Sequence, residues 1–308
     1  MTAYKTIRKY LWPALVFLAV FQLQPVSASQ GEQASAREYI LWYRNYDNPA
    51  VRALVELALH KTPEFDDFRI VRSAVISQGR ALRELANPRR KLLDIANMAT
   101  SAERESYVKA IPVPLDGGLL GFRVCLTLPE HLALFDGVET LEDFRQRNIR
   151  IGQGSHWPDT EILKANGIGV VTHARYEILF GMLRNQRFEC FARSVSEVLF
   201  DIEHNNAEDL VIEPDLLLAY PMPSYLFVAR GDHETAQRLR LGLERAIADG
   251  SFAVYLDTWF GKAVSELGLD QRTILTLANP YLSEESRHIG RKALENLIRL
   301  RNTLEQSQ

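Results

Sequence analysis

Two short stretches and one isolated arginine carry the residue types that can hold a charged small molecule. Ser101-Ala102-Glu103-Arg104 places a hydroxyl three residues ahead of a guanidinium. Ser101 can cap the short helix that follows and present backbone N–H groups to an anion. The planar, permanently charged fork of Arg104 matches the two oxygens of a carboxylate. The plainer reading is a solvated arginine at an ordinary helix start. Gly152–Thr160 (GQGSHWPDT) is the second stretch. Its glycines allow a tight turn, Ser155 or Asp159 can cap a helix starting near Pro158, and a helix N-terminus attracts anions. Trp157 can wall a flat or apolar ligand or pack in the core, and His156 can add a pH-dependent donor or sit idle on the surface. Arg193 is the isolated arginine: it either adds to a cationic cleft with Arg104 or pairs with Glu197 one turn on. Asp116 beside Gly117-Gly118 reads first as a turn residue and second as a ligand acceptor. Tyr43 and Tyr46 are aromatic candidates for the same cleft.

Catalytic readings fare worse, and an enzyme is not expected. The sequence has no Gly-x-Ser-x-Gly elbow, no His-Glu-x-x-His and no Gly-x-x-x-x-Gly-Lys. Its seven histidines are scattered without metal-ligand spacing, so neither a metal site nor a cofactor is expected. The two cysteines, Cys125 and Cys190, exclude a disulfide-rich scaffold and a cysteine-based zinc cluster. Both lie in apolar strand-like runs, where buried thiols are the first expectation and a disulfide the alternative.

The chain opens like an export leader. Lys5, Arg8 and Lys9 precede the apolar run Tyr10–Phe21, and Val26-Ser27-Ala28 offers a small-residue cleavage site. Cleavage is expected after Ala28, and a membrane anchor is disfavoured because the run is short and contains Pro13. Removing that leader leaves 33 basic against 39 acidic residues, a net charge of −6. Such an acidic balance argues against a nucleic-acid partner. A soluble chain of about 280 residues has room for one large or two medium domains.

Stepping along the chain, strands and helices alternate. Glu38–Tyr43 reads as a strand, Asp47-Asn48-Pro49 as a helix start, Phe68–Val75 as a strand, Gly79–Leu85 as a helix and Lys91–Met98 as a third strand. That order predicts a parallel sheet with helices on its faces. Pro112, Pro114 and Gly117-Gly118 mark a crossing, after which Phe122–Leu128 opens a second α/β run. Tyr220-Pro221-Met222-Pro223 marks a second crossing, followed by strand Ser224–Ala229 and helix Thr235–Ala248. The expected organisation is a first lobe from 37–120 and 223–283, a second lobe at 121–222, and a C-terminal helix at 284–308. Two lobes joined by two crossings enclose a cleft.

This order resembles the type II periplasmic solute-binding proteins, in the branch of polar amino-acid binders of ABC importers. The resemblance runs from about residue 38 to 283 and is carried by Ala99–Pro114, Ile149–Leu163 and Tyr220–Phe260. It implies a two-lobed α/β fold that closes by a hinge around a small solute. It also implies that Arg104, in a counterpart of the family's Thr-x-x-Arg motif, grips a ligand carboxylate. Ser101 and Tyr43 would assist from lobe one, with Ser155, Trp157 and Arg193 facing them from lobe two. Two departures stand out. Tyr43-Arg44-Asn45-Tyr46 replaces the family's Pro-Pro-aromatic loop, and Ala192-Arg193-Ser194 lacks the carboxylate that pairs with an α-ammonium. An anionic or carboxylate-bearing solute is therefore expected. The resemblance implies a periplasmic monomer read by an ABC permease or a signalling receptor. Its alternatives are a dehydratase-like enzyme using Glu103, Asp159 or His156, and an envelope regulator whose cleft is vestigial.

Overall fold

Strands and helices alternate through most of the computed structural model, which describes residues 36–87 and 91–305. The expected leader over residues 1–28 lies outside the described residues. The first part runs β1 (Arg37–Leu41), α1 (Tyr43–Asp47), α2 (Pro49–His60), β2 (Phe68–Arg72), α3 (Gln78–Ala86), β3 (Ala96–Ala99), α4 (Ala102–Tyr107) and β4 (Val108–Ile111). As the sequence predicts, Asn48 caps α2 by accepting from the N–H groups of Ala50 and Val51, with Pro49 in the first turn. Its apolar stripe, Leu54, Val55, Ala58 and Leu59, is buried.

The expected parallel sheet forms only in part. β1 and β2 pair in parallel, but the third strand is shorter than predicted and pairs antiparallel with a strand from far along the chain. The physical reason lies at Asp94, whose carboxylate accepts from the N–H of Ile40 at 2.9 Å. A side chain thus takes a ladder position there, and only an isolated bridge, Leu41 to Ile95, continues the parallel contact.

After the first crossing come β5 (Phe122–Thr127), α5 (Leu141–Gln146), β6 (Ile151–Gly154), α6 (Pro158–Ala165), β7 (Val170–His173), α7 (Tyr176–Arg184), β8 (Cys190–Ser194), α8 (Val198–His204), β9 (Val211–Ile212) and β10 (Leu216–Ala219). The return adds β11 (Ser224–Ala229), α9 (His233–Ala248), α10 (Ser251–Leu256), a π-turn at Asp257–Gly261, α11 (Lys262–Glu266), β12 (Thr273–Thr276) and α12 (Glu284–Glu305). β11 sits between β3 and β4 in a three-stranded antiparallel sheet. The larger sheet has seven strands in the order β12-β10-β5-β8-β6-β7, with β9 beside β5. β6, β7 and β8 are parallel, as βαβ units require.

Three expectations change here. Residues 273–276, assigned to the first lobe, form β12 and pair in parallel with β10 in the larger sheet. The four-residue run TILT is too short to betray its sheet in sequence. Cys125 and Cys190 are joined in a disulfide rather than being separate buried thiols, because antiparallel β5 and β8 bring their α-carbons to 5.0 Å. And Gly152 and Gly154 do not turn the chain: they lie in β6, where a methyl group would fall 2.2 Å from the Phe188 ring and 2.6 Å from the Trp157 ring. They are needed for close approach.

Both proline-marked crossings are present. In the first, Asp116 takes the turn role: it accepts from the Gly118 N–H at 3.0 Å and from the Ser196 hydroxyl at 3.0 Å. Burial pushes its carboxyl up from 3.8 to about 6. The fold therefore favours the protonated form, and this group's contribution to stability is lost as pH rises from about 4 through about 6. Asp116→Asn removes that loss. In urea melts, the variant should gain on the wild type between pH 4 and pH 7 by up to about 3 kcal/mol. A difference that stays flat across this range would contradict the assignment.

Candidate functional site

The site forms where α1 and the end of β3, on one side, face β5, the start of α6, the start of α7 and the end of β8 on the other. A cavity of about 270 Å³ lies between them, lined by Tyr43, Arg44, Asn97, Arg123, Trp157, Tyr176, Arg193, Glu197 and Asp201 among others.

Its floor is an ion network. Arg193, 1% exposed at the end of β8, donates to Asp201 at 2.6 Å and to Glu197 at 2.9 Å. Arg123 on β5, also buried, pairs with Asp159 at 2.7 Å and reaches Glu197 at 3.5 Å. The Tyr220 hydroxyl donates to Asp159 at 2.7 Å, and the Tyr176 hydroxyl donates to Asp201. Burial opposes the charge on Arg193, but Asp201 and Glu197 outweigh it and raise its pKa. Burial likewise opposes ionisation of Glu197, yet Arg193, Arg123 and Arg44 together hold it below the usual carboxylate range. At Asp201 burial wins, and its pKa rises. Trp157, Tyr176 and Phe191 cover the Arg193 guanidinium, whose carbon is 4.9 to 5.3 Å from the three ring centres.

Of the sequence-predicted residues, Tyr43, Trp157 and Arg193 line this cavity. Tyr43 also bridges the cleft, its hydroxyl 3.2 Å from Glu177. Arg193 adopts its second reading, pairing with Glu197, and adds Asp201, so its charge is balanced inside the protein. Ser101, Arg104 and Ser155 do not line it. With Trp157 they border a second cavity of about 880 Å³. Ser101 caps α4 as predicted, accepting from the Arg104 N–H at 3.2 Å. The neighbouring N–H of Ala102 is taken by the carbonyl of Tyr281. Arg104 is 4% exposed and bound to protein oxygens: the Ala99 carbonyl at 2.5 Å, Gln78 Oε1 at 2.9 Å and the His156 carbonyl at 2.6 Å. With no carboxylate against it, burial lowers its pKa to about 10. It straps one side of the cleft to the other, and the His156 ring packs over Gly79 beside it.

The α6 cap also departs from expectation, since Trp157 occupies the cap position and its side chain makes no capping bond. Ser155 is exposed, and Asp159 is committed to Arg123 and Tyr220. Tyr46 lies away from the cavity and packs on the core around Leu54. Of the acid–base groups an enzyme reading would use, Asp159 is paired with Arg123 at the first cavity, whereas His156 and Glu103 border the second.

Sequence reasoning passed over Arg44. It projects from α1 across the cleft, its guanidinium carbon 4.1 Å from the Tyr176 ring centre, 5.6 Å from Trp42 and 5.9 Å from Trp157. Among the described residues its side chain has no hydrogen-bond or ion-pair partner. The signal was available: a cation sits where the family loop is replaced.

No protein-family model matches the sequence, and no curated protein matches it. Solved structures do match. A Salmonella typhimurium periplasmic binding protein described for high arginine specificity is 16% identical, with TM-score 0.52 over 73% of this chain and 100% of its own. An amino-acid ABC transporter substrate-binding protein from Streptococcus pneumoniae, bound to L-arginine, is 12% identical, with TM-score 0.53 over 74% of this chain and 96% of its own. This chain has the two-lobed fold of periplasmic solute-binding proteins. An ancestral amino-acid-binding protein, described as a precursor of cyclohexadienyl dehydratase, shares it at 13% identity and TM-score 0.52, over 72% of this chain and 95% of its own.

Arg193→Met tests the network directly. It leaves Asp201 and Glu197 without their main partner and should cost about 3–5 kcal/mol in urea melts at neutral pH. A cost below about 1 kcal/mol, the range of an exposed pair, would show that the pairing is not structural.

Proposed function

We propose that this chain is a periplasmic solute-binding protein that closes around a small carboxylate-bearing, amino-acid-like solute for an ABC importer or a sensor. One observation carries the reading: Arg44 is the guanidinium in the cleft cavity without a carboxylate partner among the described residues, and it sits between aromatic faces from both lobes. A guanidinium so placed can take a carboxylate in its fork while its face stays on Tyr176.

Charge balance favours a zwitterion over a bare organic acid. The floor holds Asp159, Glu197 and Asp201 against Arg123 and Arg193. Arg44 supplies the third positive charge. A carboxylate alone would offset Arg44 and leave the floor net negative. A solute that also brings an ammonium offsets that negative charge, and Glu177, bonded among the described residues only to the Tyr43 hydroxyl, adds a further carboxylate to meet it. The arginine described with two of the similar structures has both groups. The leader-like start supports export, and no helix among the described residues is long and apolar enough to cross a membrane. The reading treats the protein as a monomer that a permease or receptor recognises in its closed form.

Thermal-shift screening against amino acids, dicarboxylates and aromatic acids tests the reading, because a ligand selective for the folded state raises its melting temperature. At least one amino acid should bind. Arg44→Ala should weaken it about 10- to 100-fold, as expected for a charged hydrogen bond, and Arg44→Lys should recover part of the loss. A panel with no hit, or binding indifferent to Arg44→Ala, would contradict it. Turnover of a hit, followed by NMR, would move the reading to an enzyme.

A further inference from the structure

The final helix, α12, is seated on both crossings at once. A methyl group at Gly118, in the first crossing, would fall 2.4 Å from the Ala293 side chain. One at Gly290, on α12, would fall 2.9 Å from Pro221 and 3.2 Å from Pro223 in the second. A side chain at either glycine would therefore clash, so the helix and the two crossings pack closely at these points. The helix is also tied to each lobe. Ile289 packs on the first lobe's core around Trp42, Tyr225 and Phe227, and Leu294 packs on the core around Phe122, Leu217 and Ala219 in the larger sheet. At its start, the buried Ser286 hydroxyl donates to Glu105 of α4 at 2.7 Å.

The chain leading into α12 makes the same connection. The helical stretch from α10 through the π-turn to α11 passes from Tyr255, in the first lobe's core, to Ala263, against the larger sheet. From β12 the chain returns. Ala278 exchanges two hydrogen bonds with Asn166 beyond α6, at 2.8 and 3.0 Å, and the Tyr281 carbonyl then accepts from Ala102 of α4 at 2.8 Å. Asn279 donates to the Pro221 carbonyl at 2.8 Å on the way. The lobes are thus joined by two further passages besides the two proline-marked crossings.

We propose that α12 is a hinge clamp: it limits the angle through which the lobes can separate and so sets the width of the cleft from behind. This needs only that the lobes hinge, and it holds whatever the solute is. A hinge between lobes bends where its backbone is free to rotate. Here the left-handed residue Gly118, the natural pivot at φ 97°, is pressed against Ala293.

The test is a distance measurement on the full chain. Spin labels at introduced cysteines replacing exposed Asp66, in the first lobe, and Glu208, beside the larger sheet, report lobe separation by pulsed electron resonance. The protein with α12 intact should give one narrow distribution. Ala293→Leu, which forces bulk against Gly118, should lengthen and broaden it, and the milder Leu294→Ala should do so less. Lys292→Ala, on the exposed face of α12, should leave it unchanged. If Ala293→Leu does not fold, Leu294→Ala decides alone. Folded variants with the parent distribution, or a Lys292→Ala distribution as broad as theirs, would overturn the clamp.

Discussion

Burying two guanidiniums beneath a cleft fixes most of what surrounds them. Arg123 and Arg193 are each less than 5% exposed, and a charge so far from water is tolerated only with an opposite charge and hydrogen bonds at contact distance. That requirement places Asp159 at the start of α6, Glu197 just before α8 and Asp201 within it. It also ties in Tyr220 at the second crossing and Tyr176 at the start of α7. One network therefore orients the cleft-facing ends of three helices and anchors both strands, β5 and β10, that lead to the crossings. Its geometry also decides what remains for a ligand. With the floor's arginines committed to internal carboxylates, Arg44 is, among the described residues lining this cavity, the guanidinium without an ion-pair partner.

Arg104 illustrates how the same residue type is put to another use. Its fork has the chemistry of a carboxylate grip, but three protein oxygens occupy it, one of them from across the cleft. It belongs to the connections that hold the lobes together, along with the Tyr43–Glu177 contact in front and α12 behind. The inter-lobe space is thereby divided, with Trp157 bordering both parts.

The sequence was legible where a rule is local. Asn48 with Pro49 ahead of α2 and Ser101 ahead of α4 each mark a helix start through bonds within a few residues, and the helices appear there. Strand β11 matches its predicted bounds and helix α6 starts at Pro158 as predicted, because Pro223 ahead of β11 and Pro158 in the first turn of α6 limit where each can begin. What escaped depends on distant partners. β4 and β12 are four residues each and become strands only by pairing with β11 and β10. The disulfide depends on the β5–β8 register. Of the arginines, Arg193 showed its Glu197 partner at helical spacing but not Asp201, which comes within reach only when α8 folds back on β8. Arg44 was overlooked because its partners are the aromatic faces of Trp42, Trp157 and Tyr176, which only the folded cleft assembles.

The central claim is that Arg44, and neither Arg104 nor Arg193, meets the solute. A crystal structure of the protein with a thermal-shift hit bound tests it most directly. The account predicts the solute carboxylate within hydrogen-bond distance of the Arg44 guanidinium, with Arg193 still on Asp201 and Arg104 still on the His156 carbonyl. A carboxylate held instead by Arg104 or Arg193 would contradict it.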